Sequence, residues 1–130
     1  SLDRAIQHCP NTVFIGHAPG FWAHLSLDDD FSKVSYPEGP IVPGGKITTM
    51  LRKYPNLFAD LSAGSGLRAL KRDVGFSRNF LTEFQDRMLF GRDCFDSSLM
   101  DFLVGLSLES EVFEKITFKN AQRLLKSYLD

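Results

Sequence analysis

The sequence predicts an α/β fold in which about three parallel strands alternate with helices. Three short runs rich in apolar residues, at 12–16, 57–61 and 88–91, have the composition of strands in a sheet covered on both faces. Between and after them, apolar residues recur with helical spacing, and this alternation indicates βαβ units. At 130 residues the chain has room for one domain, whereas a complete (β/α)8 barrel takes about 250 residues.

The first part of the chain is predicted to form a helix, a strand and a long loop. Residues 2–9 place their apolar side chains at the 3, 4, 7 spacing of one helical face, and Pro10 ends that helix. The strand at 12–16 follows. Residues 18–45 are rich in proline and glycine, so we expect little regular structure there. The aromatic residues in this loop favour an ordered segment over a disordered one.

The second part of the chain repeats the order of turn, strand, loop and helix. A helix at 46–54 is closed by Pro55, and the second strand leads into a loop of small residues at 62–66. The following helix runs to Phe84 with a break near Gly75. After the third strand we expect helices at 97–106, 109–115 and 117–125, the last of them capped by Thr117.

A sheet of only three such strands would leave two long apolar edges. Natural proteins avoid such edges because unpaired backbone groups invite aggregation. We therefore expect further strands to come from upstream in the same protein or from another chain, which allows for a homo-oligomer.

Charge and hydropathy narrow the classes of partner. A formal net charge of -1 gives no electrostatic reason to expect nucleic acid. The chain has no apolar run long enough for a membrane span and no signal-peptide pattern at its start, so we expect no membrane partner and a cytoplasmic location. Cys9 and Cys94 are far apart in the sequence, which favours reduced, buried thiols.

Two titratable residues, His17 and Asp93, directly follow predicted strands. Ligands of parallel α/β folds bind at the carboxyl ends of strands, so the two side chains are candidates for one site. Period-two alternation places both on the sides of their strands that would face a common barrel mouth. Each alone is also explained by strand-end or turn capping, whereas His8 and His24 fit a solvated surface better.

Four segments, in this order, resemble the C-terminal part of the amidohydrolase-related metal-dependent TIM-barrel hydrolases. They are residues 10–20 (PNTVFIGHAPG), 54–62 (YPNLFADLS), 87–93 (RMLFGRD) and 120–125 (NAQRLL). The resemblance is to the amidohydrolase family 2 type, which includes lactonases, other small-molecule hydrolases and nonoxidative decarboxylases. It implies that the chain is the last part of a (β/α)8 barrel without its N-terminal strands.

The resemblance also implies roles for the two strand-end residues. His17 would lie beside a divalent metal, most simply zinc, and activate water or contact substrate, while Asp93 would bind the metal and accept a proton. Such a metal lowers the pKa of bound water to about 7. Asn120 and Ala121 would pack the final helix on the barrel. The substrate would be a small ester, lactone, amide or carboxylate.

The chain departs from the family pattern in two respects. Arg92 stands where the family has a small or hydroxyl residue, and it would pair with an acid or contact an anionic substrate. The His-x-His pair of the family's first strand does not occur in this sequence, so the chain alone is expected to be inactive. Trp22 is a further candidate for contact with substrate, through an aromatic wall in the loop.

Two other functions remain open from the sequence. The small-residue loop at 62–66 followed by a helix has backbone N–H groups suited to an anion, so a phosphate-binding TIM-barrel enzyme is one alternative. A non-catalytic half-barrel that docks its open sheet edges on a partner is the other.

Overall fold

The structure is a computed structural model that describes residues 1–129, and its secondary structure alternates as expected. The strands are β1 Phe14–Gly16, β2 Leu57–Asp60 and β3 Met88–Leu89. The helices are α1 Leu2–His8, α2 Pro19–Trp22, α3 Lys46–Lys53, α4 Ala63–Lys71, α5 Val74–Glu83, α6 Ser98–Gly105, α7 Ser110–Glu114 and α8 Asn120–Leu129. A 3₁₀ turn Gln85–Arg87 precedes β3, and a π-helical segment Lys115–Lys119 joins α7 to α8.

The three strands form one parallel sheet in the order β1-β2-β3. In its register Gly16 lies opposite Ala59, and Ala59 lies opposite Met88. Each connection contains helices, as a parallel pairing requires. A mixed α/β fold with a small parallel sheet is therefore confirmed.

The two faces of the sheet have different environments. Leu57, Ala59 and Met88 are buried in one core cluster with residues of α3, α4 and α5. Ile15, by contrast, is 53% exposed and lies on a cavity that α8 also borders. Helices thus cover one face, and on the other face Phe58 is buried while its neighbour Ile15 is exposed, so the first strand is not covered on both faces as expected.

Two local predictions were wrong in position, those for residues 63–66 and Thr117, while the predicted break near Gly75 is confirmed. Residues 63–66 belong to the first turn of α4, where a loop was expected. The break in the next helical region lies before Val74 because Asp73 caps α5, its Oδ1 accepting from the backbone N–H of Phe76 at 2.9 Å. Thr117 caps no helix. It lies inside a continuous helical run, where its hydroxyl donates to the Phe113 carbonyl at 2.7 Å.

The long segment 18–45 is ordered mainly by buried side chains. Trp22 and Leu25 are almost fully buried, and Arg72 of the α4–α5 junction forms a bidentate ion pair with Asp29 at 2.7 and 3.0 Å. The guanidinium also donates to the Gly39 carbonyl at 3.0 Å. These contacts hold the segment against α4, so that the chain leaving β1 has a fixed course.

Asn120 ties the last helix to the sheet. Its side chain is fully buried, and its Nδ2 donates to the carbonyls of Gln85 at 2.7 Å and Met88 at 2.9 Å. The structural role expected of Asn120 is confirmed.

The structure bears on the expectations for the two cysteines and for membrane-spanning helices. Cys9 and Cys94 are free thiols, but both are exposed rather than buried, because each lies in an irregular segment at the surface. None of the helices within residues 1–129 has the length and hydropathy that a membrane span requires.

Candidate functional site

His17 forms an ion pair with a carboxylate on the neighbouring strand. It directly follows β1, and its Nδ1 lies 3.0 Å from Oδ2 of Asp60, the last residue of β2. The side chains are 41% and 26% exposed, so the pair is accessible at the surface of the sheet end. Because Gly16 pairs with Ala59 in register, the next residue of each strand is brought opposite the other.

The Asp60 carboxylate is held in place by Ser62. Oδ1 accepts from the backbone N–H of Ser62 at 2.8 Å, and Oδ2 accepts from the Ser62 hydroxyl at 2.8 Å. The Asp60 carbonyl accepts from the indole N–H of Trp22 at 3.0 Å. The backbone and the carboxylate of Asp60 are thus both held by contacts that do not involve His17.

Gly91 makes room for this arrangement. A Cβ at Gly91 would lie 3.3 Å from Cβ of Ser62 and 3.9 Å from Oδ1 of Asp60. The distance of 3.3 Å to Ser62 is shorter than most Cβ contacts in proteins, so a larger residue at position 91 would displace Ser62. The carboxylate beside Gly91 is that of Asp60.

Asp60 was missed as a functional residue because it lies inside a run interpreted as one strand. The signal was present in the sequence. A charged residue near the end of an apolar strand run, LFADL, is the same kind of strand-end feature that singled out His17 and Asp93. The pairing itself follows from the register of β1 and β2, which the sequence does not specify.

His17 opens onto a groove of about 820 Å³ beside β1. Ile15, Phe21 and Met50 give it apolar walls, and His24, Lys46 and Lys53 contribute nitrogen groups. His24, for which a solvated surface position was expected, is partly exposed and lies on this groove, with its ring 6.1 Å from that of Phe31. The Asp3 carboxylate also lines the groove and forms an ion pair with Lys53 at 3.3 Å, so the lining combines apolar surface with charged groups of both signs.

Asp93 lies in a different place from the one predicted. β3 ends at Leu89, and residues 90–97 are irregular, so strand alternation does not extend to Asp93. Its exposed side chain lines a small cavity with Gly64, Leu67 and Leu99. The structure thus brings His17 to Asp60 and does not bring His17 and Asp93 to one cavity.

The described residues do not complete a metal site. Within residues 1–129 no three side chains of His, Cys, Asp or Glu are grouped so that they could hold a metal ion. A catalytic zinc takes three protein ligands and keeps one position for water. His17 and Asp93 would therefore need ligands from elsewhere in a complete enzyme.

The two candidate substrate residues have different environments. Trp22 is 1% exposed and packs edge-to-face on Phe21 and Phe80, so its ring supports the site from the core and offers no wall to a substrate. Arg92 lines two cavities, the small one that Asp93 lines and the larger one that Ile15 lines. Its charge also helps lower the pKa of Asp96, after the larger effects of hydrogen bonds from Ser98.

Groups of both charges lie near the start of α4. The first available backbone donor, the N–H of Ser62, is already bound to the Asp60 carboxylate. Asp93 and Asp96 line the cavity beside Gly64. The carboxylates near this helix start oppose phosphate by charge, whereas Arg92 on the same cavity favours it, so the phosphate-binding alternative stays a prediction.

The backbone immediately after His17 is strained. Ala18 has φ 69° and ψ 173°, a region that is essentially restricted to glycine and costs about 1–3 kcal/mol for other residues. The turn lets the Ala18 carbonyl accept from the N–H groups of Phe21 and Trp22, both at 3.1 Å. The strain thus accompanies the sharp turn that takes the chain from His17 into α2.

Replacing Ala18 with Gly should stabilise the protein by about 1 kcal/mol, because the relief of strain exceeds the entropy that glycine adds to the unfolded chain. Urea unfolding followed by circular dichroism would measure this. Ala5→Gly in the exposed part of α1 is the control, with an expected loss of up to about 1 kcal/mol. A loss of stability in Ala18→Gly would contradict the strained conformation.

Comparisons with known proteins give no match. No protein-family model, no curated protein and no solved structure is similar to this chain at a significant level.

Proposed function

We propose that this chain is the C-terminal part of a metal-dependent hydrolase with an amidohydrolase-like TIM barrel. The enzyme would act on a small ester, lactone or amide, or release carbon dioxide from a small carboxylate without oxidation. The single observation that carries the proposal is the His17–Asp60 pair at the carboxyl ends of two adjacent parallel strands, open to a groove. The motif resemblance at 87–93 adds Asp93 as a metal ligand.

The residues of this chain suit the proton transfers that such reactions need. When one ring nitrogen of a histidine is hydrogen-bonded to a carboxylate, the other ring nitrogen can accept a proton from water or from a substrate hydroxyl. Lys46 on the same groove would attract the carboxylate of a substrate or product, whereas Lys53 is already paired with Asp3. The apolar groove wall would exclude part of the surrounding water.

The open sheet face supports the barrel part of the proposal. Val13, Ile15 and Leu89 line a cavity of about 460 Å³ together with Leu124 and Tyr128 of α8. In a closed barrel the inward face is filled by side chains from all strands. The same exposed apolar face is the feature that favours a non-catalytic interaction module as a second candidate, because such patches mark binding surfaces.

The test uses the protein expressed from the full reading frame that encodes this chain. We expect about one divalent metal ion per polypeptide by inductively coupled plasma mass spectrometry, with turnover of at least one compound in a panel of lactones, esters, amides and aromatic carboxylates. Asp93→Asn should lose most of the metal. Asp96→Asn, on the same cavity, is the matched control and should retain it.

Two results would count against the proposal. Full metal content in Asp93→Asn would remove Asp93 from the ligands. A metal-free protein without turnover of any compound in the panel would leave the interaction module as the better function.

A further inference from the structure

We propose that Asp60, fixed by Ser62, is a positioning residue that sets the tautomer of His17 and leaves Nε2 as the nitrogen available to ligands. The role of His17 in a reaction rests on the proposed function. The tautomer is a property of this chain and can be tested without any activity.

The hydrogen on the His17 ring is located by the contact with Asp60. An ionised carboxylate can only accept hydrogen bonds. With Nδ1 only 3.0 Å from Oδ2, the neutral ring must carry its hydrogen on Nδ1. Nε2 then has a free lone pair, which is the atom that binds a metal or takes a proton from water.

The carboxylate cannot easily turn away from His17. Each of its oxygens accepts from a different group of Ser62, the backbone N–H at Oδ1 and the hydroxyl at Oδ2, both at 2.8 Å. Oδ2 therefore receives two donors, from Ser62 and from His17. Since a hydrogen bond to the second ring nitrogen orients a metal-bound or catalytic histidine, this pair has the geometry of an orienting carboxylate.

Replacing Asp60 with Asn gives a sharp test because Asn has nearly the same shape. Its Oδ1 would keep the bond from the Ser62 N–H, which places Nδ2 where Oδ2 was. That amide group is a donor, so it would meet Nδ1 of His17 as an acceptor and move the ring hydrogen to Nε2. The substitution should therefore switch the tautomer instead of only weakening a contact.

The measurement is the ¹⁵N chemical shifts of histidine-labelled protein at a pH where the rings are neutral. In the wild type we expect protonated Nδ1 and bare Nε2 for His17, and in Asp60→Asn the reverse. His8, whose Nδ1 lies 2.8 Å from the Arg4 carbonyl, is an internal reference for a protonated Nδ1. Asp96→Asn, which changes a carboxylate on a cavity that His17 does not line, is the matched control and should leave the His17 shifts unchanged.

Either a wild-type His17 with its hydrogen on Nε2 or an unchanged tautomer in Asp60→Asn would overturn the proposal. The wild-type spectrum decides the first point even if the variant does not fold. In the active enzyme, Asp60→Asn should lower kcat about 10- to 100-fold with a smaller change in KM. Absence of metal and activity in the full protein would overturn the proposed function and leave the tautomer result standing, so the two failures are distinguishable.

Discussion

Replacement of Arg72 with Ala is expected to lower the free energy of unfolding by roughly 3–5 kcal/mol, the cost of removing one partner of a buried ion pair. The side chains of Arg72 and Asp29 are only 6% and 4% exposed. Without the guanidinium, the Asp29 carboxylate is left buried without its ionic partner. The carbonyl of Gly39 also loses a donor, which loosens the segment 18–45.

Arg52→Ala is the matched control for this substitution. Arg52 also makes two hydrogen bonds to one carboxylate, that of Glu83, at 2.6 and 3.0 Å, but the two side chains are 57% and 43% exposed. Exposed pairs contribute about 0.2–1 kcal/mol. Chemical denaturation of both variants would compare their losses in the free energy of unfolding. Equal losses would show that burial does not make the Arg72–Asp29 pair more stabilising than an exposed pair.

Gly45→Ala should be the second strongly destabilising change, by about 3 kcal/mol or more. A Cβ at this position would lie 2.0 Å from the Leu25 carbonyl oxygen and 2.4 Å from its carbon, both of them backbone atoms. The close approach lets the Ile47 N–H at the start of α3 donate to the His24 carbonyl at 3.1 Å. Adding a methyl group would push α3 away from the segment that carries His24.

Gly64→Ala serves as the comparison for Gly45. Gly64 lies in the first turn of α4 and has no atom within 4 Å of an added Cβ. Its replacement should leave stability unchanged or raise it by up to about 1 kcal/mol, because alanine favours helix over glycine. Thermal melting of the two variants would rank them, and similar melting temperatures would refute the close packing at Gly45.

The sequence predicted the elements of this fold well where apolar periodicity was long or turn residues were clear. The three strands and helices α3 and α6 are at or near their expected positions. It failed where short-range hydrogen bonds decided a boundary. Helix α4 begins at Ala63, inside the expected loop, and the continuous helical hydrogen bonding around Thr117 replaced a cap that the residue type favours.

The site was only half predictable for a different reason. His17 could be identified because it follows an apolar strand, but its partner depends on which residue of β2 lies opposite it. Register is a tertiary property, set by packing of the covered face. Asp93 was placed by extending strand alternation four residues past Leu89, into a segment that is irregular.

The His17–Asp60 contact depends on the pairing of the short strand β1 with β2. His17 and Asp60 directly follow Gly16 and Ala59, the last residue pair that joins β1 to β2, and a slip of one residue would send the imidazole to the opposite face. The site therefore cannot loosen independently of its scaffold. The Phe14 N–H donates to the Asn56 carbonyl, so the alternation of a parallel ladder directs the Gly16 and Asp60 N–H groups between β1 and β2. The opening that exposes those two amides to exchange with solvent also separates His17 from Asp60, so their hydrogen exchange reports opening of the site.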